Sequence, residues 1–174
     1  SFFGMPFVRY RLGHIVRFTG DHVGYGNEFL FAGRSDEQID IGGFTRVDES
    51  TVWNAITRAE LPVRDWTARR EIEGIVPELH MYLELTSPYE PGRLVPVLHQ
   101  SLKDCDPLYS DLETMLAICP LKITVLSPGT FDTYTDMQLK QGSSLVGSRP
   151  PRINPSDEMV LRLVALDRAL ALSA

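Results

Sequence analysis

The chain has 174 residues, of which 43% are apolar and 23% are charged, a composition that is typical of globular proteins and excludes disordered and collagen-like classes. Its 17 basic and 23 acidic side chains give a formal net charge of −6, which argues against a nucleic-acid-binding surface. No apolar run approaches the roughly 18 residues of a membrane span, and no signal segment opens the sequence. Cys105 and Cys119 form no CxxC pair, which indicates a reducing compartment and therefore a cytoplasmic location.

The first part of the chain carries the pattern of short strands. Apolar and polar residues alternate there in short runs that glycines separate, which is typical of strands joined by turns. We therefore predict strands at residues 8–12, 15–18, 28–32 and 38–41, a turn at Gly13-His14, and a loop with three glycines at 20–27.

A break in this pattern at residues 33–36, Gly-Arg-Ser-Asp, is the predicted domain boundary. It divides the chain into a first domain at 1–35 and a second domain at 36–174. Because residue 1 is Ser and the sequence begins within a pattern, we expect the chain to be a piece of a longer protein.

Helix and strand patterns are mixed from residue 48 onward. Asp48 is placed to cap a helix that runs through residue 61, because the apolar residues that follow it recur at helical spacing. Asn154-Pro155 is expected to cap the last helix, which begins at about residue 156. The other predicted elements are strands at 64–73, 78–85 and 122–126 and helices at 94–104, 109–117 and 130–141. Such a mixture predicts an α+β fold, in which helices flank a small mixed or antiparallel sheet and a short β segment precedes it.

The strongest chemical cluster is the run YRLGH at residues 10–14, together with GRSD at 33–36. Arginine supplies forked donors to phosphate or ribose oxygens, aspartate accepts from hydroxyls, and glycine allows close approach of the backbone. These are the groups that a nucleotide requires. On the pattern alone, an arginine beside a glycine turn is more often a solvated hairpin, so both interpretations stay open.

A second polar segment, GSSLVGSRPPR, covers residues 142–152. It ends in Arg149 and Arg152, which two prolines separate. A loop of this kind can deliver a cation to a phosphate and withdraw it again. A surface linker is the alternative interpretation.

The remaining polar residues are interpreted as structural. His80 alternates with apolar neighbours and is expected on the outward face of its strand, and the pair Arg69-Arg70 on a solvated strand surface. The histidines lack the spacing of metal ligands, so we predict no metal site. No GxxxxGK[ST] cradle and no GxSxG elbow occurs.

Taken in order, these segments resemble the C-terminal part of adenylate-forming enzymes, the superfamily of acyl-CoA synthetases and luciferase. Residues 7–14 (FVRYRLGH) resemble its ribose-binding motif YRTGD, and residues 33–43 (GRSDEQIDIGG) resemble its hinge motif GRxDxxxxxGG. Beyond the hinge, PLKI at 120–123, GTF at 129–131 and the segment at 142–152 resemble the plant auxin-conjugating (Gretchen Hagen-type) acyl acid-amido synthetases and their bacterial relatives. Phenylacetate-CoA ligase-like proteins are a further likeness.

The resemblance implies a two-lobe ligase that forms acyl-AMP from ATP and a small carboxylic acid. The acyl group then passes to an amine or to the thiol of coenzyme A. The partner of this chain would be the N-terminal lobe of the same protein, which would carry the phosphate loop, the acyl pocket and most of the Mg²⁺ ligands. The C-terminal piece alone is therefore expected to be inactive.

The resemblance also implies roles for individual residues. Arg149 would be the catalytic cation, with Arg152 as the alternative, and Asp36 would be the hinge. Gly42 and Gly43 would line the path of the incoming acceptor. The nucleotide would contact Tyr10, Arg11, Gly13, His14 and Arg34.

Two positions depart from the motifs of the family. His14 stands where the motif has aspartate, and a neutral imidazole offers one acceptor where a carboxylate offers two oxygens. Arg149 stands where the family has lysine, which changes both reach and geometry. These departures favour an alternative, a degenerate relative that serves as a binding or regulatory module. An unrelated α+β binding domain is the third interpretation.

Overall fold

A computed structural model of the chain describes residues 14–23, 26–34, 37–73, 76–116, 119–144 and 147–173. These residues form seven strands and five helices. The chain divides between Glu37 and Gln38 into two compact units. The predicted strand at 8–12 lies outside the described residues.

The first unit contains a hairpin of two antiparallel strands, β1 (His14–Val23) and β2 (Gly26–Arg34). Both strands are longer than predicted, and most of the expected glycine loop at 20–27 is strand. The pairing register is irregular between Phe18 and His22. A bulge of this kind absorbs additional residues without ending the pairing, so Gly20 lies within β1 and Gly26 begins β2.

The second unit opens with a shorter hairpin, β3 (Gln38–Ile41) and β4 (Thr45–Asp48), which α1 (Glu49–Arg58) follows. The sequence predicted β3 but not β4, because the four residues of β4 are too few to show a clear alternating pattern. Asp48 caps α1 as predicted, because its carboxylate accepts a hydrogen bond from the Thr51 N–H at 2.8 Å.

α1 ends before the predicted residue 61 for a local reason. Glu60 adopts a left-handed backbone conformation, with φ of 50°, which cannot continue a right-handed helix. Pro62 follows two residues later and favours an extended backbone at Leu61. The remaining elements, in chain order, are β5 (Val63–Glu73), β6 (Val76–Leu85), α2 (Pro91–Cys105), α3 (Pro107–Leu116), β7 (Leu121–Leu126), α4 (Thr130–Lys140) and α5 (Asp157–Ser173).

β5, β6 and β7 form one sheet in that order. β5 and β6 are antiparallel, and β6 and β7 are parallel. A parallel bridge between Ala68 and Ile153 adds one more segment along the other side of β5. The three predicted strands of this sheet are thus confirmed.

The two faces of the sheet are covered by different helices. Leu79, Met81 and Leu83 of β6 pack in one core with apolar residues of α1 and α2. The alternate residue Tyr82 packs in a second core with residues of α4 and α5, among them Phe131 and Leu163. A small mixed sheet is therefore flanked by helices, which confirms the α+β prediction.

The predicted cap of the last helix is wrong. Ser156 caps α5, because its Oγ accepts from the Met159 N–H at 3.3 Å and its carbonyl from the Val160 N–H at 3.1 Å. Asn154 instead has a left-handed backbone, with φ of 54°. Its N–H donates to the carbonyl of Ala68 at 2.8 Å, so this residue belongs to the edge of the sheet and not to the helix.

Candidate functional site

The two N-terminal motifs meet at one end of the first hairpin. β1 begins at His14 and β2 ends at Arg34, and these residues are Cα partners in the antiparallel register. The pairing therefore places the end of the ribose-type motif beside the start of the hinge-type motif, although they are far apart in sequence. His14 is exposed. Four other predicted site residues lie outside the described part of the chain, namely Tyr10, Arg11, Gly13 and Asp36.

Gly42 and Gly43 form the exposed turn between β3 and β4. Both have left-handed backbones, with φ of 66° and 76°, a region that favours glycine. The Gly43 N–H donates to Asp40 Oδ1 at 2.6 Å. A Cβ at Gly42 would lie 3.3 Å from Pro77 Cγ, so this glycine also allows the turn to approach β6. The conformation of the turn thus requires glycine independently of any acceptor.

Arg149 lies in the segment between α4 and the bridge at Ile153. The segment begins at Gly142, whose φ of 89° ends α4, and the Ser143 N–H donates back to the Gln138 carbonyl at 3.1 Å. Arg149 itself is exposed. Its side chain is therefore accessible to a ligand from solution.

Arg152 differs from Arg149 in its surroundings. Its guanidinium forms an ion pair with Asp65 and donates to the Trp66 carbonyl at 2.7 Å. It also lies 5.3 Å from the centroid of the Trp66 ring. These contacts, which the sequence pattern did not indicate, occupy the side chain of Arg152 within the protein.

A buried polar cluster on the α4 and α5 face of the sheet contradicts two predictions. His80 is only 5% exposed, and its Nδ1 lies 2.6 Å from Glu71 Oε2 and its Nε2 2.8 Å from Thr124 Oγ1. Tyr82 and Arg69 both donate to Glu71 Oε1, at 2.8 and 2.7 Å. The predictions that His80 faces outward and that Arg69 is solvated are therefore wrong. Helices α4 and α5 cover the strand face that was predicted to be exposed. Arg70 is exposed as predicted.

The electrostatics of this cluster are those of a structural element. Burial acts to raise the pKa of Glu71, but hydrogen bonds from His80, Tyr82 and Arg69 outweigh it and lower the pKa to about 2. Burial and the Glu71 hydrogen bond raise the pKa of Tyr82 well above its ordinary value. Neither group is therefore poised to transfer a proton near neutral pH. Within the described ranges, no group of three or more His, Cys, Asp or Glu side chains is placed to hold a metal ion.

The region from residue 49 to residue 158 matches the family model described as the GH3 family C-terminal domain. The matched residues run from the start of α1 into α5 and include the whole three-stranded sheet and Arg149. The chain belongs to the GH3 family. The resemblance to Gretchen Hagen-type synthetases is thereby confirmed, whereas the likeness to bacterial relatives and to phenylacetate-CoA ligases stays a prediction.

The proteins that the chain resembles include GH3 synthetases of plants. The chain is 27% identical over 174 residues to indole-3-acetic acid-amido synthetase GH3.15 of Arabidopsis thaliana, with 90% of this GH3 chain and 29% of the relative covered. It is 28% identical over 167 residues to indole-3-acetic acid-amido synthetase GH3.17 of the same plant. That match covers 83% of this chain and 26% of the relative.

Solved structures of a GH3 synthetase are also similar to this chain. The structure of GH3.15 acyl acid amido synthetase has a TM-score of 0.59 and 28% identity, with 90% of this chain and 31% of that chain covered. The same enzyme in complex with 2,4-DB has a TM-score of 0.57 and 25% identity. That match covers 90% of this chain and 30% of the enzyme. The GH3 chain described here thus spans about three tenths of the length of the proteins that it resembles.

Proposed function

We propose that this GH3 chain is the C-terminal lobe of an ATP-dependent ligase that activates a small carboxylic acid as acyl-AMP and transfers the acyl group to an amine. The match of residues 49–158 to the GH3 C-terminal domain carries the proposal. Because the relatives are named as amido synthetases, an amide product is favoured over a thioester of coenzyme A. The N-terminal lobe of the same protein would supply the phosphate loop, the acyl pocket and most of the Mg²⁺ ligands.

The first step of this reaction needs a cation at the phosphates. The carboxylate of the acid attacks the α-phosphorus of ATP, the acyl-AMP anhydride forms, and pyrophosphate leaves with the bonding electrons. A guanidinium near the departing pyrophosphate stabilises the negative charge that develops there. Arg149 is exposed, whereas Arg152 is occupied by Asp65 and Trp66, which supports Arg149 as the catalytic cation.

The first hairpin is proposed to bind the nucleotide. His14 and Arg34 are cross-strand partners, so one ligand could contact both. Arg34 would donate to oxygens of AMP, and a neutral His14 would accept from one ribose hydroxyl. Tyr10, Arg11 and Gly13 would complete this contact.

Asp36 is proposed as the pivot between two arrangements of the lobes. The division of the chain into two units falls between Glu37 and Gln38, one residue beyond Asp36, which supports a pivot there. After the rotation, the turn at Gly42 and Gly43 would line the path of the amine. The amine attacks the acyl carbon, AMP leaves, and one proton is released. Separating the two steps lets each take place in its own environment.

A cytoplasmic location is part of the proposal. Both cysteines are free, Cys105 half-buried and Cys119 exposed, and free thiols are typical of a reducing compartment.

Among the helices that the structure describes, none is long and apolar enough to cross a membrane.

ATP–pyrophosphate exchange tests the proposal. The full-length protein that contains this chain is assayed against a panel of aryl, indole and fatty acids, and the chain alone is assayed beside it. We expect acid-dependent exchange by the full-length protein and none by the chain alone. Amide formation is then measured with an amino acid panel, with coenzyme A as the competing acceptor.

A degenerate relative that binds nucleotide without adenylation is the second candidate. His14 and Arg149, which replace the aspartate and lysine of the family motifs, favour it. A folded full-length protein that binds AMP but shows no exchange with any acid would support this candidate over the ligase.

A further inference from the structure

The segment that follows Arg149 is fixed to the edge of the sheet. The Ala68 N–H donates to the Arg152 carbonyl and the Asn154 N–H donates to the Ala68 carbonyl, both at 2.8 Å. Thr67 Oγ1 donates to the Pro151 carbonyl at 2.6 Å. Ile153, which is 7% exposed, enters the core between these bonds. Residues 151–154 therefore form an anchor on β5.

The side chain of Arg152 strengthens this anchor. Asp65, its ion-pair partner, also accepts from the Trp66 N–H at 2.8 Å, so the carboxylate is held in place. Trp66, whose ring the guanidinium covers, is 2% exposed. A guanidinium that pairs with a carboxylate, donates to a carbonyl and lies over an indole uses the properties that distinguish arginine from lysine. Its role is to fix the chain and not to reach a phosphate.

A rigid spacer joins the anchor to Arg149. Pro150 and Pro151 fix their own φ angles near −65°. Two consecutive prolines therefore leave the spacer little conformational freedom. A displacement of Arg152 is therefore passed on to Arg149.

We propose that Arg152 is a positioning residue for Arg149, an assignment that rests on the proposed function. Its contacts with Asp65 and Trp66 set the place of the spacer on β5, and the spacer sets the place of the Arg149 guanidinium at the phosphates. A misplacement of about 1 Å can reduce a rate about 100-fold. Lysine at position 152 keeps the charge, but its compact ammonium lacks the planar guanidinium that lies over the Trp66 ring, so it holds the spacer less firmly.

A double-mutant cycle in the full-length protein tests the assignment. Arg152→Lys is made alone and in an Arg149→Ala background, and both ATP–pyrophosphate exchange and transfer from preformed acyl-AMP are measured. We expect Arg152→Lys alone to lower kcat/KM for exchange about 10- to 100-fold, while transfer changes by less than about twofold. In the Arg149→Ala background it causes no further loss, because the positioned residue is gone.

Arg162→Lys is the matched control, since Arg162 lies on α5 and pairs with the exposed Glu158 at 2.5 Å. It should leave both half-reactions unchanged.

Two outcomes would overturn the assignment and make Arg152 a structural residue. One is that Arg152→Lys lowers the exchange rate by the same factor with and without Arg149, and the other is that it lowers both half-reactions equally. If Arg152→Lys does not fold, Asp65→Asn, which removes the ion pair and keeps both arginines, takes its place in the same cycle. No exchange by the unmodified protein would instead overturn the proposed function, and the assignment with it.

Discussion

The carboxylate of Glu71 lies 2.6 Å from Nδ1 of His80, in a cluster that Tyr82 and Arg69 complete. Burial acts to raise the pKa of this carboxyl, but the donors around it outweigh burial and lower the pKa from 4.5 to about 2. The folded chain therefore holds Glu71 ionised more strongly than the unfolded chain does. Folding and the ionisation of Glu71 are thus linked.

This linkage predicts acid sensitivity. The stabilisation is complete above the unfolded pKa of 4.5 and is lost as the pH falls toward the folded value of about 2. Since one pKa unit corresponds to about 1.4 kcal/mol, we expect a loss of about 1–3 kcal/mol in the free energy of unfolding. Urea unfolding between about pH 6 and pH 3 should show the loss in the unmodified chain and little of it in Glu71→Gln.

Glu158→Gln provides the control for this experiment, because Glu158 is an exposed carboxylate on α5. It should leave the pH dependence as it is in the unmodified chain. The same pH dependence in Glu71→Gln and in the unmodified chain would contradict the role of the cluster.

A second buried carboxylate holds the N-terminus of α4. Glu84 is 1% exposed, and it accepts from the Gly129 N–H at 2.9 Å and the Phe131 N–H at 3.2 Å. Glu84→Ala leaves both amides without this partner, so we expect it to lower the free energy of unfolding by about 2–4 kcal/mol. Asp132→Asn is a matched control, because Arg64 contacts both carboxylates but Asp132 is exposed. It should cost less than about 1 kcal/mol, and similar losses in the two variants would contradict the capping role.

Local signals account for the part of the fold that the sequence predicted. Alternation identified β6, and the carboxylate of Asp48 identified the start of α1, because these patterns depend on residues that are neighbours in the chain. Alternation also divides a strand into two faces, but it does not say which face is covered. His80 was therefore misplaced, since the helices that cover its strand face at the neighbouring Tyr82, α4 and α5, lie far along the chain.

The candidate site shows the same limit. Motif order alone indicated Arg149 and the residues around His14 and Arg34. The role of Arg152 could not be read in this way, because its partner Asp65 is 87 positions away and only the folded sheet brings them together. The assignments of Arg149, Arg34 and His14 to the chemistry stay predictions.

The turn between β3 and β4 should tolerate side chains poorly. Gly43→Ala meets no atom within 4 Å but requires a φ of +76°, and we expect it to cost about 1–2 kcal/mol in the free energy of unfolding. Gly42→Ala also places its Cβ 3.3 Å from Pro77, so its cost should be larger. Gly92→Ala, in the first turn of α2 and with open space around it, should be neutral or stabilise by up to about 1 kcal/mol. Thermal unfolding ranks the three, and equal effects would show that the backbone of the turn is not the cause.

His14→Asp should strengthen nucleotide binding by the full-length protein. A carboxylate accepts from both ribose hydroxyls, and a hydrogen bond to a charged group contributes about 1.5–3 kcal/mol, so we expect the Kd for AMP to fall about tenfold or more. His22→Asp makes the same charge change near the other end of β1 and should leave the Kd unchanged. Calorimetric titration measures both, and equal shifts would show that net charge, and not a ribose contact, is responsible.

Arg149→Ala should separate the two half-reactions of the full-length protein. Pyrophosphate leaves only during adenylation, so loss of a cation at the phosphates should slow ATP–pyrophosphate exchange about 100-fold or more. Transfer from preformed acyl-AMP needs no such cation and should change little. Arg149→Lys restores the residue of the family motif and should keep most of the exchange, whereas Arg162→Ala, which removes an arginine from the exposed side of α5, should affect neither step. Equal slowing of both steps by Arg149→Ala would show that the residue supports the fold of the loop and that the catalytic cation lies elsewhere.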